Sequence, residues 1–253
     1  MRLKITFRYI LAFIALNFVM GELHEQAHIQ AGYLLCGCYG ERDFNVWATC
    51  DHCESYWTFL AALAGPVFSC SLMWLGARWM LRSVDAGRRM LGFALLFANL
   101  PFARIFTALT GHGDEQKVMA ALFPGMDPLL IHWITALLVL FICLPPIVIA
   151  ARVLASRNRI ALVTCFSIVP LIDGLYYHHI FLNWLLKKGI ASGTLLLGTP
   201  SLVLLHFLLM LLLWIAFRNH LSGRVEPGRS QSPIPGLTEQ NSSPNCFSGF
   251  VLN

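Results

Sequence analysis

Charge is what this sequence has least of. Only 12% of its 253 residues are charged, whereas 57% are hydrophobic. Soluble globular chains carry about 25% charged residues, so an ordinary soluble domain is excluded. No internal repeat is visible. Histidine boxes are also missing. Only His24/His28 and His178/His179 form pairs, which argues against a membrane di-iron oxygenase or desaturase. Arg2, Lys4 and Arg8 precede an apolar core, yet no small-residue cleavage site follows it. The first apolar run is therefore expected to be a retained span and not a cleaved signal peptide.

Long apolar runs are what the chain does have. Six approach or exceed the roughly 20 residues needed to cross a bilayer. They run from Thr6 to about Ile29, Trp57 to Leu81, Met90 to Leu109, Leu129 to Ala151, Ile160 to Leu185, and Leu195 to Phe217. The expected fold is all-α and polytopic, with about six transmembrane helices forming one domain over residues 1–217. From His220 onward the chain is rich in Gly, Pro, Ser and Asn and cannot bury enough apolar surface to fold alone. Residues 218–253 are expected to be a disordered tail.

The cations set the orientation. With a cytoplasmic N-terminus, 13 Lys and Arg residues fall inside, while Arg42, Lys117, Lys187 and Lys188 fall outside and Arg104 lies within a span. That bias follows the positive-inside rule and places both termini in the cytoplasm. The net charge of +5 then reflects topology, so the expected partner is the lipid bilayer and no nucleic acid is expected.

Four of the eight cysteines, Cys36, Cys38, Cys50 and Cys53, cluster in the first outer loop. On the oxidising side one or two disulfides are expected, and a structural zinc is the rival. Cys70, Cys143 and Cys165 fall within spans and read as small core residues. In the same loop Phe44, Val46 and Trp47 suit either a small hairpin or an interfacial aromatic belt.

The chemistry starts at His24-Glu25-Gln26-Ala27-His28, an H-E-x-x-H motif near the outer end of the first run. Helical positions i and i+4 share a face, so both imidazoles can reach one metal ion, with Glu25 beside them as base for an activated water. The bland alternative is an interfacial histidine pair, but such a cluster near hydrocarbon is costly unless paired or metal-bound. Glu22 reads as a solvated interfacial charge.

A catalytic zinc takes three protein ligands and a water. The third ligand must lie at the depth of the motif. The third span also runs outward and ends at Gly111-His112-Gly113-Asp114-Glu115. Asp114 is preferred there, with Glu115 and His112 as rivals. Asp173 is a more distant rival, halfway along the fifth span, and the His178/His179 pair lies beyond it. A satisfied polar network between helices accounts for Asp173 and the histidines about as well. Asn99 and Arg104 are candidates to stabilise an oxyanion, or to hold helices together.

The H-E-x-x-H on an early span, Ala64-Gly65-Pro66 on the next, and Asn99-Leu100-Pro101 followed by a glycine-flanked Asp on the third resemble the site-2 protease family of intramembrane zinc metalloproteases. The resemblance covers about residues 15–120. It implies zinc on His24, His28 and Asp114, Glu25 as catalytic base, and Gly65 and Pro66 as support, with Ser69 where an Asn is often found. It departs from the family pattern in the long spacing from Asn99 to Asp114. A sequence closer to the family's Leu-Asp-Gly, Ile172-Asp173-Gly174, stands two spans later. Family sites commonly face the cytosol, whereas the charge bias here points outward. The implied activity is zinc-dependent hydrolysis of peptide bonds in membrane-anchored protein substrates. A non-catalytic metal-binding membrane protein, a sensor or transporter-like, is the alternative.

Overall fold

The computed structural model describes residues 1, 3, 5–53 and 57–223. Of the expected tail, residues 218–253, residues 218–221 are helical and residues 224–253 lie outside the described ones. The described chain is mostly helical. Its helices are α1 (Phe7–Cys36), α2 (Thr58–Arg82), α3 (Ala86–Ala98), α4 (Pro101–Leu109), α5 (Asp114–Leu122) and α6 (Pro128–Val153). They continue with α7 (Arg159–Asp173), a π-helical stretch Gly174–Leu182, α8 (Asn183–Lys187) and α9 (Ser201–Leu221). Six helical segments are long and apolar enough to cross a membrane: α1, α2, α3 with α4, α6, α7 through α8, and α9.

Apolar periodicity explains the core. Tyr9, Phe13, Leu16 and Met20 recur at helical spacing on α1 and are buried against Met73 and Met80 of α2, Phe93 and Phe97 of α3, and Phe166 of α7. The α2–α3 crossing is close. A methyl added to Gly76 would strike the Gly92 carbonyl, and one added to Gly92 would meet the Gly76 carbonyl. Small residues thus bring two backbones into contact, as at many helix crossings in membranes. Outward residues such as Leu137, Phe141, Leu205 and Leu212 are apolar and exposed, as a lipid-facing surface requires.

The third apolar run is not one straight helix. Pro101 lacks an amide hydrogen, and Leu100 takes a left-handed conformation (φ 53°). The chain breaks between α3 and α4. Asn99 sits at the break, buried, with its side-chain amide donating to the Leu95 carbonyl at 2.7 Å. Asn17 of α1 donates to the Ala98 carbonyl at 3.1 Å and fixes the same corner.

Several expectations are corrected. The first helix runs seven residues past Ile29, to Cys36. His28 therefore lies eight residues, about 12 Å, from its end and not at its tip. The two-stranded antiparallel sheet pairs Thr194–Leu196 with Thr199–Pro200. Leu197 and Gly198 both have positive φ and close it in a two-residue turn. The expected hairpin in loop 37–53 is reduced to one bridge between Arg42 and Trp47. Pro200 ends the sheet and is the N-cap of α9, so the sixth apolar helix starts at Ser201 and ends at Leu221.

The cysteines pair as Cys36–Cys53 and Cys38–Cys50, which selects disulfides over a structural zinc. Cys143 is buried as expected, whereas Cys165 is exposed on α7. The cross-linked loop lies over the bundle. Phe44 buries against Leu182 and Val203, and its amide donates to the buried Asn183 side chain at 3.0 Å. Glu22 is not solvated. It is buried in a two-pronged ion pair with Arg42, at 2.8 and 2.9 Å, and accepts from Gln26 at 2.9 Å. A carboxylate taken out of water needs such a partner, and loop 37–53 supplies it.

Candidate metal centre

One helical turn sets His24 above His28 on the same face of α1. Their Nε2 atoms lie 3.1 Å apart. Asp114 Oδ2 lies 3.2 Å from His28 Nε2 and 3.8 Å from His24 Nε2. A tetrahedral zinc with bonds of 2.0–2.1 Å separates its ligand atoms by about 3.3 Å. The three observed separations bracket that value, so the residues fit a divalent ion. Among the described residues, His24, His28 and Asp114 form the group that could hold a metal, with ligand atoms within 4.8 Å of one another. Two imidazoles and a carboxylate suit a first-row divalent cation.

Asp114 arrives by local structure. Gly111 and Gly113 both have positive φ and turn the chain out of α4. Asp114 then opens α5, where its negative charge suits the helix N-terminus. Val118, one turn on and on the same face, is buried with Phe59 and Ala62 of α2. That small cluster docks α5 on α2 and aims Asp114 at the histidines. Burial pushes the Asp114 carboxyl upward, but the neighbouring His24 and His28 rings outweigh it and hold the group well below the usual carboxylate range.

The surroundings orient the candidate ligands. His28 is fully buried and stacks on Trp47, with ring centroids 4.8 Å apart. Its Nδ1–H donates to the Ala61 carbonyl at 2.7 Å, which leaves the Nε2 lone pair facing the cluster. Pro66 cannot bond to the Ala62 carbonyl one turn back, which neighbours the Ala61 carbonyl that His28 meets. Gly65 makes room. A methyl there would overlap both imidazoles. Ser69 Oγ lies 3.1 Å from His24 Nδ1. Glu25 follows on the same helix turn. Its Oε2 is buried and has no hydrogen-bond partner among the described residues.

The other candidates fall elsewhere. Glu115 is turned about 100° from Asp114 and pairs with Arg104 at 2.9 Å. His112 is exposed. The Asp173 side chain lies outside the described residues. His178 packs with Phe18, Phe44 and His206 in an aromatic cluster, and His179 faces Asn45. Asn99 bonds back into its own helix, whereas Arg104 reaches the site, with Nη2 at 2.9 Å from His24 Nδ1. Sequence reasoning missed the Trp47 stack, the Ala61 acceptor and the Glu115–Arg104 pair. No spacing rule links them to the motif, since each comes from another element.

No family model, curated protein or solved structure matches this chain.

Proposed function

We propose that the chain is a membrane-embedded zinc metalloprotease that hydrolyses peptide bonds of membrane-anchored proteins, related to the site-2 proteases. The observation that carries this reading is the convergence of His24, His28 and Asp114 beside a glutamate with an unpartnered buried oxygen. Zinc bound there would polarise a scissile carbonyl and acidify a water. His24 and His28 would ligate through Nε2 and Asp114 through Oδ2. Ala61 and Ser69 would hold the two imidazoles in orientation. Glu25 would accept the proton of the attacking water and return it to the leaving amine. Its unpaired oxygen supports that role, because a buried acceptor without a donor is costly to keep for structure alone.

The same reading places the site toward the outer side and both termini in the cytoplasm. The charge bias supports it, and so do two disulfides in the loop that stacks Trp47 on His28. At the opposite end the N-terminal ammonium of Met1 donates to the Val153 carbonyl, and the start of α3 meets the end of α9 at Gly87 and Ser222. Arg82, Arg88, Arg89 and Arg152 lie in these same stretches, as one cytoplasmic face requires.

The test is Glu25→Gln in the purified, detergent-solubilised full chain. The substrate is a reporter anchored by a single apolar helix. Zinc content should stay at the wild-type level while hydrolysis falls by about two to four orders of magnitude, as for loss of a general base. A variant that cleaves at the wild-type rate would overturn the mechanism.

A further inference from the structure

The groove between α2 and α6 carries positive charge that neither helix balances. It holds about 500 Å³, and its walls include Trp74, Leu75, Arg78, Leu81 and Arg82 of α2 and Ile149 of α6. Trp74, Arg78 and Arg82 stand four residues apart, so they share one face of α2. That face lies opposite the buried stripe that runs through Ser69 and Met73. Arg78 is about 20 Å along α2 from Gly65, so the groove is separate from the metal centre.

Neither α2 nor α6 contains an aspartate or a glutamate. Asp85, the first acid beyond Arg82, caps α3 by accepting from the Gly87 amide at 2.9 Å. Arg78 and Arg82 make no ion pair with a described residue. Other arginines at this end of the bundle are provided for. Arg88 lies over the Trp79 ring, and Arg89 donates to the Met80 carbonyl at 3.1 Å. Arg78 also stands a full turn, about 6 Å, inside the end of α2. A guanidinium at that depth is costly in hydrocarbon unless an anion meets it.

The rest of the groove says which anion. Its walls beyond the arginines are apolar, and Trp74 suits the boundary between headgroups and acyl chains. Two guanidinium groups match phosphate oxygens, and they would repel the ammonium of a zwitterionic headgroup. We propose that this groove binds an anionic phospholipid, with its phosphate on Arg78 and Arg82 and an acyl chain along Trp74, Leu75 and Ile149. Basic pockets between transmembrane helices hold such headgroups in general. The site depends on the helices spanning a membrane and not on the chemistry of the metal centre.

The test uses the full chain in detergent, titrated with dioleoyl phosphatidylglycerol or dioleoyl phosphatidylcholine. Bound lipid is counted by native mass spectrometry. Wild type should retain phosphatidylglycerol at concentrations where phosphatidylcholine is lost. Arg78→Gln with Arg82→Gln should weaken phosphatidylglycerol binding about 30-fold, the contribution of two arginines at an anionic lipid surface. Arg88→Gln with Arg218→Gln removes the same charge from exposed positions outside the groove and should bind as wild type does. Ile149→Trp keeps both cations but fills the groove, and should also weaken binding. Equal retention of the two lipids by wild type would overturn the proposal. So would equal losses in the two double variants, since the lipid would then be adsorbed by overall charge. Wild-type binding in Ile149→Trp would overturn the groove as its seat.

Discussion

Gly65→Ala isolates the geometry of the histidine pair from the stability of the fold. The added methyl would overlap the imidazoles of both His24 and His28. Those rings cannot both retreat. His28 is clamped between Trp47 and the Ala61 carbonyl, and His24 between Ser69 and Arg104. Overpacking of this kind costs about 1–3 kcal/mol. Spent on displacing ligand atoms, that is roughly a 5- to 150-fold weaker zinc affinity. Two other glycines serve as controls. A methyl on Gly76 meets the Gly92 carbonyl and the Leu96 amide, about three helical turns along α2 from Gly65, so Gly76→Ala should lower the unfolding temperature and keep zinc. Gly174 has nothing within 4 Å of an added Cβ, so Gly174→Ala should change neither property. The assay is chelator competition beside thermal unfolding of the same preparations. Wild-type affinity in Gly65→Ala would refute the reasoning. So would affinity losses that follow unfolding temperature across all three variants, since the effect would then be general destabilisation.

Three further outcomes follow from other contacts. Val118→Ala removes two methyl groups from the cluster that docks α5 on α2, about 1.6 kcal/mol of burial, and should weaken zinc binding without touching a ligand. Arg42→Met leaves Glu22 buried without its cation and should destabilise the chain by about 3 kcal/mol in reversible unfolding. Adding Glu22→Gln should recover most of that loss, and no recovery would show that the pair is not what holds loop 37–53 down. Thiol labelling of the denatured chain should gain four sites on reduction, two for each of the two disulfides. A gain of two or none would reject the pairing.

How far the sequence leads is clearest at Asp114. The motif itself was legible because helical spacing forces His24 and His28 together whatever surrounds them. Asp114 followed from the need for a ligand at matching depth. Its choice over Glu115 did not follow, because adjacent acidic residues differ only in which helix face they occupy, and that is set when Val118 packs on α2. Glu22 was misread for a related reason. Its partner Arg42 lies twenty positions away in an irregular loop, where no periodicity reports a contact. The displaced hairpin was a misread signal rather than a silent one. Gly198 and Pro200 interrupt the apolar run after Leu195, and a proline cannot sit inside a continuing helix without cost. In loop 37–53 the aromatic pattern suggested a strand, but Phe44 and Trp47 serve instead as anchors, one against Leu182 and Val203 and one on His28.

The metal centre stands or falls on a zinc count. Wild type, His24→Ala and Asp114→Ala should be expressed in zinc-replete medium, purified in detergent as the full chain, and measured by elemental analysis. Close to one zinc per chain is expected for wild type, with little or none in either variant. Wild type without zinc, or Asp114→Ala with as much as wild type, would contradict the assignment of His24, His28 and Asp114 as its ligands.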